Sequence, residues 1–209
     1  MKDPKLFLVS APSGAGKSSL IDAVLTSAKQ SDLALELSIS YTTRSPRKGE
    51  SNGNQYFFIS EEDFINKKNA NFFLEHAEVH GNWYGTSVDF VESKLSSGIN
   101  LILEIDVQGF RQINELDIKY ESIFILPPSI YSLEERIKSR GDEDLEAINL
   151  RLKNAKDELA YANEYKHIII NDLFDDAERE LFKIIAQEKQ LNREKTEEVQ
   201  QFLAQLLSY

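Results

Sequence analysis

Ala11-Pro12-Ser13-Gly14-Ala15-Gly16-Lys17-Ser18 is the stretch on which the fold turns. It follows a short apolar run, Lys5-Leu6-Phe7-Leu8-Val9-Ser10. It precedes Lys17 to Lys29, whose Leu20, Ile21, Val24, Leu25 and Ala28 share one helical face. A buried strand, a glycine-rich turn and a helix, in that order, are the setting a phosphate-binding loop needs, and the spacing is that of the Walker A motif. Gly14 and Gly16 let the backbone turn successive N–H groups toward phosphate oxygens, and the helix dipole adds positive charge there. Lys17 can reach the β- and γ-phosphates, and the Ser18 hydroxyl can ligate Mg²⁺. Ala11 stands where the strict motif has glycine, which is tolerable if its dihedrals suit a residue with a Cβ. The alternative is an ordinary strand-to-helix turn with a surface lysine; the placement of strand, loop and helix argues against it. Phosphate binding follows from this stretch, but a reaction does not.

Outward from the loop, strands alternate with helices. Leu35–Ile39, Asn100–Ile105, Ser122–Leu126 and His167–Asn171 read as strands. Helical patterns cover Ser129–Arg140 and Glu143–Tyr165; the second carries a seam of Leu145, Ile148, Leu152, Ala155, Leu159 and Ala162. The alternation predicts an α/β fold with a mostly parallel sheet covered on both faces. Thr42 to about Ser97 breaks the rhythm. It holds Gln55–Ile59, a short helix opened by Ser60-Glu61-Glu62-Asp63, then Phe72–Val79, a Gly81-Asn82 turn and Trp83–Thr86. Two aromatic-rich runs about that turn predict a hairpin in a small antiparallel α+β lobe. Ala177 to Tyr209 is expected to be helical throughout, with Val199, Phe202, Leu203 and Leu206 on its apolar face.

Composition narrows the function. The 209 residues are 41% hydrophobic and 28% charged, as in an ordinary soluble domain. No apolar run suits a membrane span and no signal peptide is visible, so a cytoplasmic protein without membrane association is expected. There are no cysteines, which removes disulfides, thiolate metal sites and cysteine nucleophiles. Lys+Arg is 24 against Asp+Glu 35, a formal charge of −11, which argues against nucleic-acid binding. Arg44, Arg47 and Lys48 cluster against that background, with Tyr56 and Tyr84 nearby. Arginine forks match phosphate oxygens, although a solvated basic turn explains the cluster equally well.

The loop Ser-Gly-Ala-Gly-Lys-Ser, the run Thr42-Thr43-Arg44-Ser45-Pro46-Arg47-Lys48-Gly49-Glu50, the turn Gly81-Asn82-Trp83-Tyr84-Gly85 and the run Glu104-Ile105-Asp106-Val107-Gln108-Gly109 together resemble guanylate kinase, in the family's order and spacing. The resemblance implies a parallel-sheet P-loop kinase core at 4–41, 98–128 and 166–187. It implies a GMP-binding insert at 42–97 and a helical lid at 129–165, all within a domain of 4–187. A C-terminal helical extension follows at 188–209.

It also implies ATP-dependent conversion of GMP to GDP in purine nucleotide metabolism, with Mg²⁺ accompanying ATP. Ser40, Glu75 and Thr86 match guanine-reading positions. A carboxylate can accept from guanine N1–H and N2 together, whereas adenine would leave it unpaired. Arg44, Arg47, Tyr56 and Tyr84 match the GMP-phosphate clamp, and Glu104, Asp106 and Gly109 complete the GMP set. Ala11 to Ser19, with Ser13, Gly14, Ala15, Gly16, Lys17 and Ser18 at its centre, match the ATP-phosphate loop. Arg136, Arg140 and Arg151 match lid arginines closing over ATP phosphates, and Asn171 a position beside adenine. The catalytic set is then Lys17, Arg44, Arg136, Arg140 and Arg151, and the metal set Ser18 and Asp106. Without the resemblance, the lid arginines read as partners of Glu134, Glu135 and Glu146 on a solvated surface. A kinase for another nucleoside monophosphate and a non-catalytic guanylate-kinase-like module are the competing readings. A homo-oligomer through helical faces stays open.

Overall fold

The computed structural model describes residues 3–79, 81–139, 145–187 and 197–208. In chain order the elements are β1 (Leu6–Ser10), α1 (Lys17–Gln30), β2 (Leu35–Leu37), β3 (Tyr41–Thr42), β4 (Phe57–Phe58), α2 (Glu61–Asn69), β5 (Phe73–Val79), β6 (Asn82–Ser87), α3 (Val88–Ser96), β7 (Asn100–Glu104), α4 (Val107–Asn114), β8 (Tyr120–Leu126), α5 (Ile130–Lys138), α6 (Leu145–Leu159), β9 (His167–Ile170), α7 (Phe174–Ile185) and α8 (Glu197–Leu207). The chain divides into two compact units, Met1–Leu6 with Ala34–Tyr120, and Phe7–Leu33 with Glu121–Tyr209.

The second unit carries the phosphate loop. β1 is buried along its whole length, which is why its sequence is apolar on both faces. β8 lies between β1 and β9 and pairs with β9 in parallel, from Ile123 opposite His167 to Leu126 opposite Ile170. α1 buries Leu20, Ile21, Val24 and Ala28. It packs on α7, which buries Ala177, Leu181 and Ile185, and Ser27 Oγ donates to Glu178 across that contact at 2.8 Å. α5 begins at an N-cap, Ser129, whose side chain accepts from Ser132 N–H. Its Leu133 and Ile137 form a cluster with Ile148, Leu152 and Ala155 of α6, so the predicted seam is a packing face.

The first unit holds a parallel β2–β7 pair, with Leu35 opposite Asn100 and Leu37 opposite Ile102. It also holds a four-stranded sheet in the order β4-β3-β6-β5. The predicted hairpin is β5–β6. Its register sets Val79 opposite Asn82, so Asn82 already belongs to β6 and not to the turn; Gly81 has φ 72°, and His80 lies outside the described residues. The lobe is not wholly antiparallel, because β3 pairs with β4 in parallel. Phe64 of α2 stacks between Phe73 and Trp83. α2 is capped by Ser60 and carries acids in its first turn and lysines in its last, matching the helix dipole.

Two further expectations need correction. The tail is not helical throughout: α7 starts at Phe174 and ends at Ile185, and Gln187 has φ 54°, a left-handed conformation no α-helix accommodates. The helix expected to run to Tyr165 ends at Leu159, with a 3₁₀ turn at Ala162–Glu164. α3 and α4, unread in the sequence, are short helices capped by Ser87 and Asp106. Among the described residues no helix is long and apolar enough to cross a membrane.

Candidate active site

The loop between β1 and α1 is built by backbone geometry. Gly14 and Gly16 have φ of 94° and 91°, and Ala15 N–H closes a turn onto Pro12 O at 3.0 Å. Outside glycine, positive φ among the described residues is confined to Asp32, Asn71 and Gln187, so Ala11 is unstrained in its departure from the motif. Gly16 is also the N-cap of α1 and brings no side chain to the first N–H groups of the helix. That is the arrangement which presents a helix N-terminus to an anion. Lys17, Ser18 and Ser19 are the first three residues of that helix.

The loop is tied from behind. Asn171, which follows β9 and is buried, donates from Nδ2 to Ala15 O at 2.7 Å. Arg136 of α5 approaches the same carbonyl at 3.4 Å, and Arg151 of α6 donates to Ser13 Oγ at 3.1 Å. A Cβ on Gly16 would stand 2.5 Å from Asn171 Nδ2, so glycine is required there by space as well as by φ. Gly14, Gly16, Ser19, Arg136, Asn171 and Phe174 line a cavity of about 340 Å³. Arg140 lies outside the described residues.

The first unit assembles the other predicted residues. Glu75 of β5 is 5% exposed and sits opposite Thr86 of β6, whose hydroxyl donates to Glu75 Oε1 at 2.7 Å. Ser40 Oγ lies 3.4 Å from the same hydroxyl. Burial pushes the Glu75 carboxyl up to about 7, against the Thr86 hydrogen bond and with help from the charge of Asp106. Asp106 caps α4, accepting from Gly109 N–H at 2.8 Å. A Cβ on Gly109 would lie 2.6 Å from Glu75 Oε2; the missing side chain makes room for the carboxyl.

Arg44 is held in a fork. Nη1 and Nη2 donate to the two oxygens of Glu50 at 3.0 and 2.9 Å, and Arg47 N–H donates to Glu50 Oε2 at 2.6 Å. The Arg44 hydrogen bond holds the Glu50 carboxyl below its ordinary range, and Glu50, with Tyr84 contributing less, raises Arg44. The guanidinium lies 5.4 Å from the centre of the Tyr56 ring, which is 5.8 Å from the Tyr84 ring. Burial, then the charge of Glu104, raises the Tyr56 hydroxyl. Glu50 was not among the predicted site residues; its position at the end of the basic run, after Gly49 with φ 91°, was the available signal.

The sequence matches the family described as guanylate kinase over residues 3–188. The chain belongs to the guanylate kinase family. Guanylate kinase of Hahella chejuensis is 49% identical over 185 residues, covering 88% of this chain and 87% of that one. Guanylate kinase of Pasteurella multocida is 42% identical over the full length of both chains. The crystal structure of guanylate kinase from Anaplasma phagocytophilum superposes with a TM-score of 0.70 at 28% identity, covering 92% of this chain and 90% of that one. The α/β, parallel-strand architecture is that of this P-loop kinase family.

Proposed function

We propose that this chain transfers the γ-phosphoryl group of ATP to GMP, giving ADP and GDP, and so returns GMP to the purine nucleotide pool. A GMP phosphate oxygen forms the new bond to phosphorus, and the bridging oxygen leaves with ADP. The observation that carries the choice of acceptor is Glu75, buried with Thr86 donating to one of its oxygens. As a carboxylate it accepts from guanine N1–H and N2, and Ser40 or Arg44 donates to O6. An adenine edge would leave a buried acceptor unpaired, an unfavourable arrangement.

Arg44, Arg47, Tyr56 and Tyr84 take the GMP phosphate, with Glu50 holding the Arg44 fork in orientation. Glu104 contributes negative charge near Tyr56. On the ATP side the N–H groups from Ser13 to Ser19 and the Lys17 ammonium hold the phosphates. Arg136, Arg140 and Arg151 offset charge spreading over the transferring group. Asn171 keeps the loop shaped and borders the adenine.

Ser18 and Asp106 offer hard oxygen donors, the type Mg²⁺ selects. Asp106 turns Oδ1 into its own helix and, among the described residues, takes a 3.3 Å bond from Gln108 on Oδ2, so its donor chemistry suits a hard cation. Bound with ATP, Mg²⁺ neutralises phosphate charge. The cytoplasm, where both nucleotides are made and used, is the proposed location. A coupled ADP-release assay across the four ribonucleoside monophosphates tests the reading: turnover with GMP far above the others is expected, and equal turnover with AMP would overturn it.

A further inference from the structure

β5 is an edge strand. In the sheet order β4-β3-β6-β5 it has β6 on one side only. In an antiparallel pair the backbone groups of alternate residues point away from the partner, and at an edge they need another source of hydrogen bonds. At His76 one side chain supplies both. Gln112 of α4 accepts from His76 N–H at 3.1 Å and donates from Nε2 to His76 O at 2.6 Å. The primary amide is a donor and an acceptor in one plane, so at this residue it substitutes for a neighbouring strand.

The clamp falls beside the residue that reads the base. Glu75 precedes His76, and the β5–β6 register shifts between Phe73 and Glu75. A ladder that slips at that point does not by itself fix where Glu75 stands. α4 does. Asp106, Gly109 and Gln112 recur every third residue, the spacing of one helix face. Asp106 raises the Glu75 carboxyl through its charge, Gly109 leaves the space Oε2 occupies, and Gln112 grips the next peptide.

We propose that Gln112 is a positioning residue for guanine recognition, fixing β5 against α4 so that the Glu75 carboxylate meets the base edge in register. The inference rests on the reading that Glu75 binds guanine. Nothing in the sequence pattern points to it, because the partner is a backbone group 36 residues away.

The test uses the full chain with Gln112→Met, which keeps length and loses both hydrogen bonds, and Gln112→Glu, which keeps the acceptor and loses the donor. Positioning predicts that Gln112→Met raises KM for GMP by about tenfold, since sub-ångström displacement of a binding group costs on that order. KM for ATP and kcat at saturating GMP stay within about twofold, and Gln112→Glu, which sets a carboxylate oxygen against His76 O in place of the amide donor, also raises KM for GMP. The preference for GMP over IMP, which lacks the 2-amino donor, narrows. In a Glu75→Gln background Gln112→Met adds less than about twofold, because it acts through a group already removed. Thermal unfolding of each variant is followed in parallel. Equal loss in the ATP and GMP parameters, or full multiplication with Glu75→Gln, would overturn the proposal. If Gln112→Met does not fold, the GMP-to-IMP ratio of Gln112→Glu decides, and an unchanged ratio overturns it. Unchanged GMP binding in Glu75→Gln alone would instead refute the guanine reading itself.

Discussion

Gly109→Ala separates fit from stability within one residue. The new methyl would lie 2.6 Å from Glu75 Oε2 and 3.2 Å from Glu75 Cδ. To regain ordinary contact the carboxyl must retreat by roughly 0.8 Å, since closer approach is steeply repulsive. Retreat strains the 2.7 Å bond from Thr86 to Oε1; moving α4 instead strains the Gln112 clamp. Either way the carboxylate leaves the plane in which the proposed pair of guanine donors would meet it. Losing one such charge-assisted bond is worth about 1.5–3 kcal/mol, or roughly 10- to 100-fold in kcat/KM for GMP. Gly109 is the third residue of α4, where alanine favours the helix by about 1 kcal/mol over glycine. The amide that donates to Asp106 survives the change. The expected variant therefore melts near the native temperature while its KM for GMP rises at least tenfold and its KM for ATP holds. Steady-state kinetics with each substrate varied, beside calorimetric unfolding, measure both. A KM for GMP within twofold of native would refute the reasoning, because it would mean that Glu75 can yield that distance without leaving the base.

Lys17→Ala should fold normally and lose about 10²- to 10³-fold in kcat, the usual cost of removing one electrostatic group at a transferring charge; near-native turnover would remove Lys17 from the chemistry. The proposed pairing with guanine needs Glu75 ionised, and burial raises its carboxyl to about 7. KM for GMP should therefore climb roughly tenfold per pH unit below 7 and level off above it, a profile absent from Glu75→Gln. Because the folded value exceeds the ordinary 4.5, the folded state keeps a proton the unfolded chain has lost, so stability should fall as pH rises between them. Asn171→Ala unties Ala15 O and should raise KM for ATP about tenfold with KM for GMP unchanged, as a titration of each substrate would show. Glu50→Gln keeps the shape around Arg44 and removes the charge that orients it; KM for GMP should rise several-fold while thermal stability barely moves.

The parts of this fold legible in the sequence are those whose pattern is imposed locally. β1 reads clearly because all five residues are buried, and the loop after it because Gly14 and Gly16 need φ values that other residues avoid. β3 and β4 are two residues each, too short to show a period, and their aromatic neighbours suggested a longer strand. The break at Gln187 was hidden by good helix formers on both sides, so propensity argued for continuity where the structure turns. Site residues carried by a resemblance to family motifs could be named, and Glu75, Thr86 and Ser40 do stand together. Gln112 could not be named, because what it does depends on a peptide that only the folded chain brings to it; Glu50 closed the basic run already singled out, and only its grip on the Arg44 guanidinium needed the fold.

α8 buries Val199, Leu203 and Leu206, packs on α6, and Gln200 donates to Asn163 at 2.9 Å. α6 is the helix whose Arg151 reaches the Ser13 hydroxyl. α8 therefore buttresses the nucleotide loop at second hand, through α6. Loosening α8, as by Leu203→Ala, is expected to be felt first as weakened ATP handling, before any loss of folded protein, so that helix acts as a strain gauge on α6.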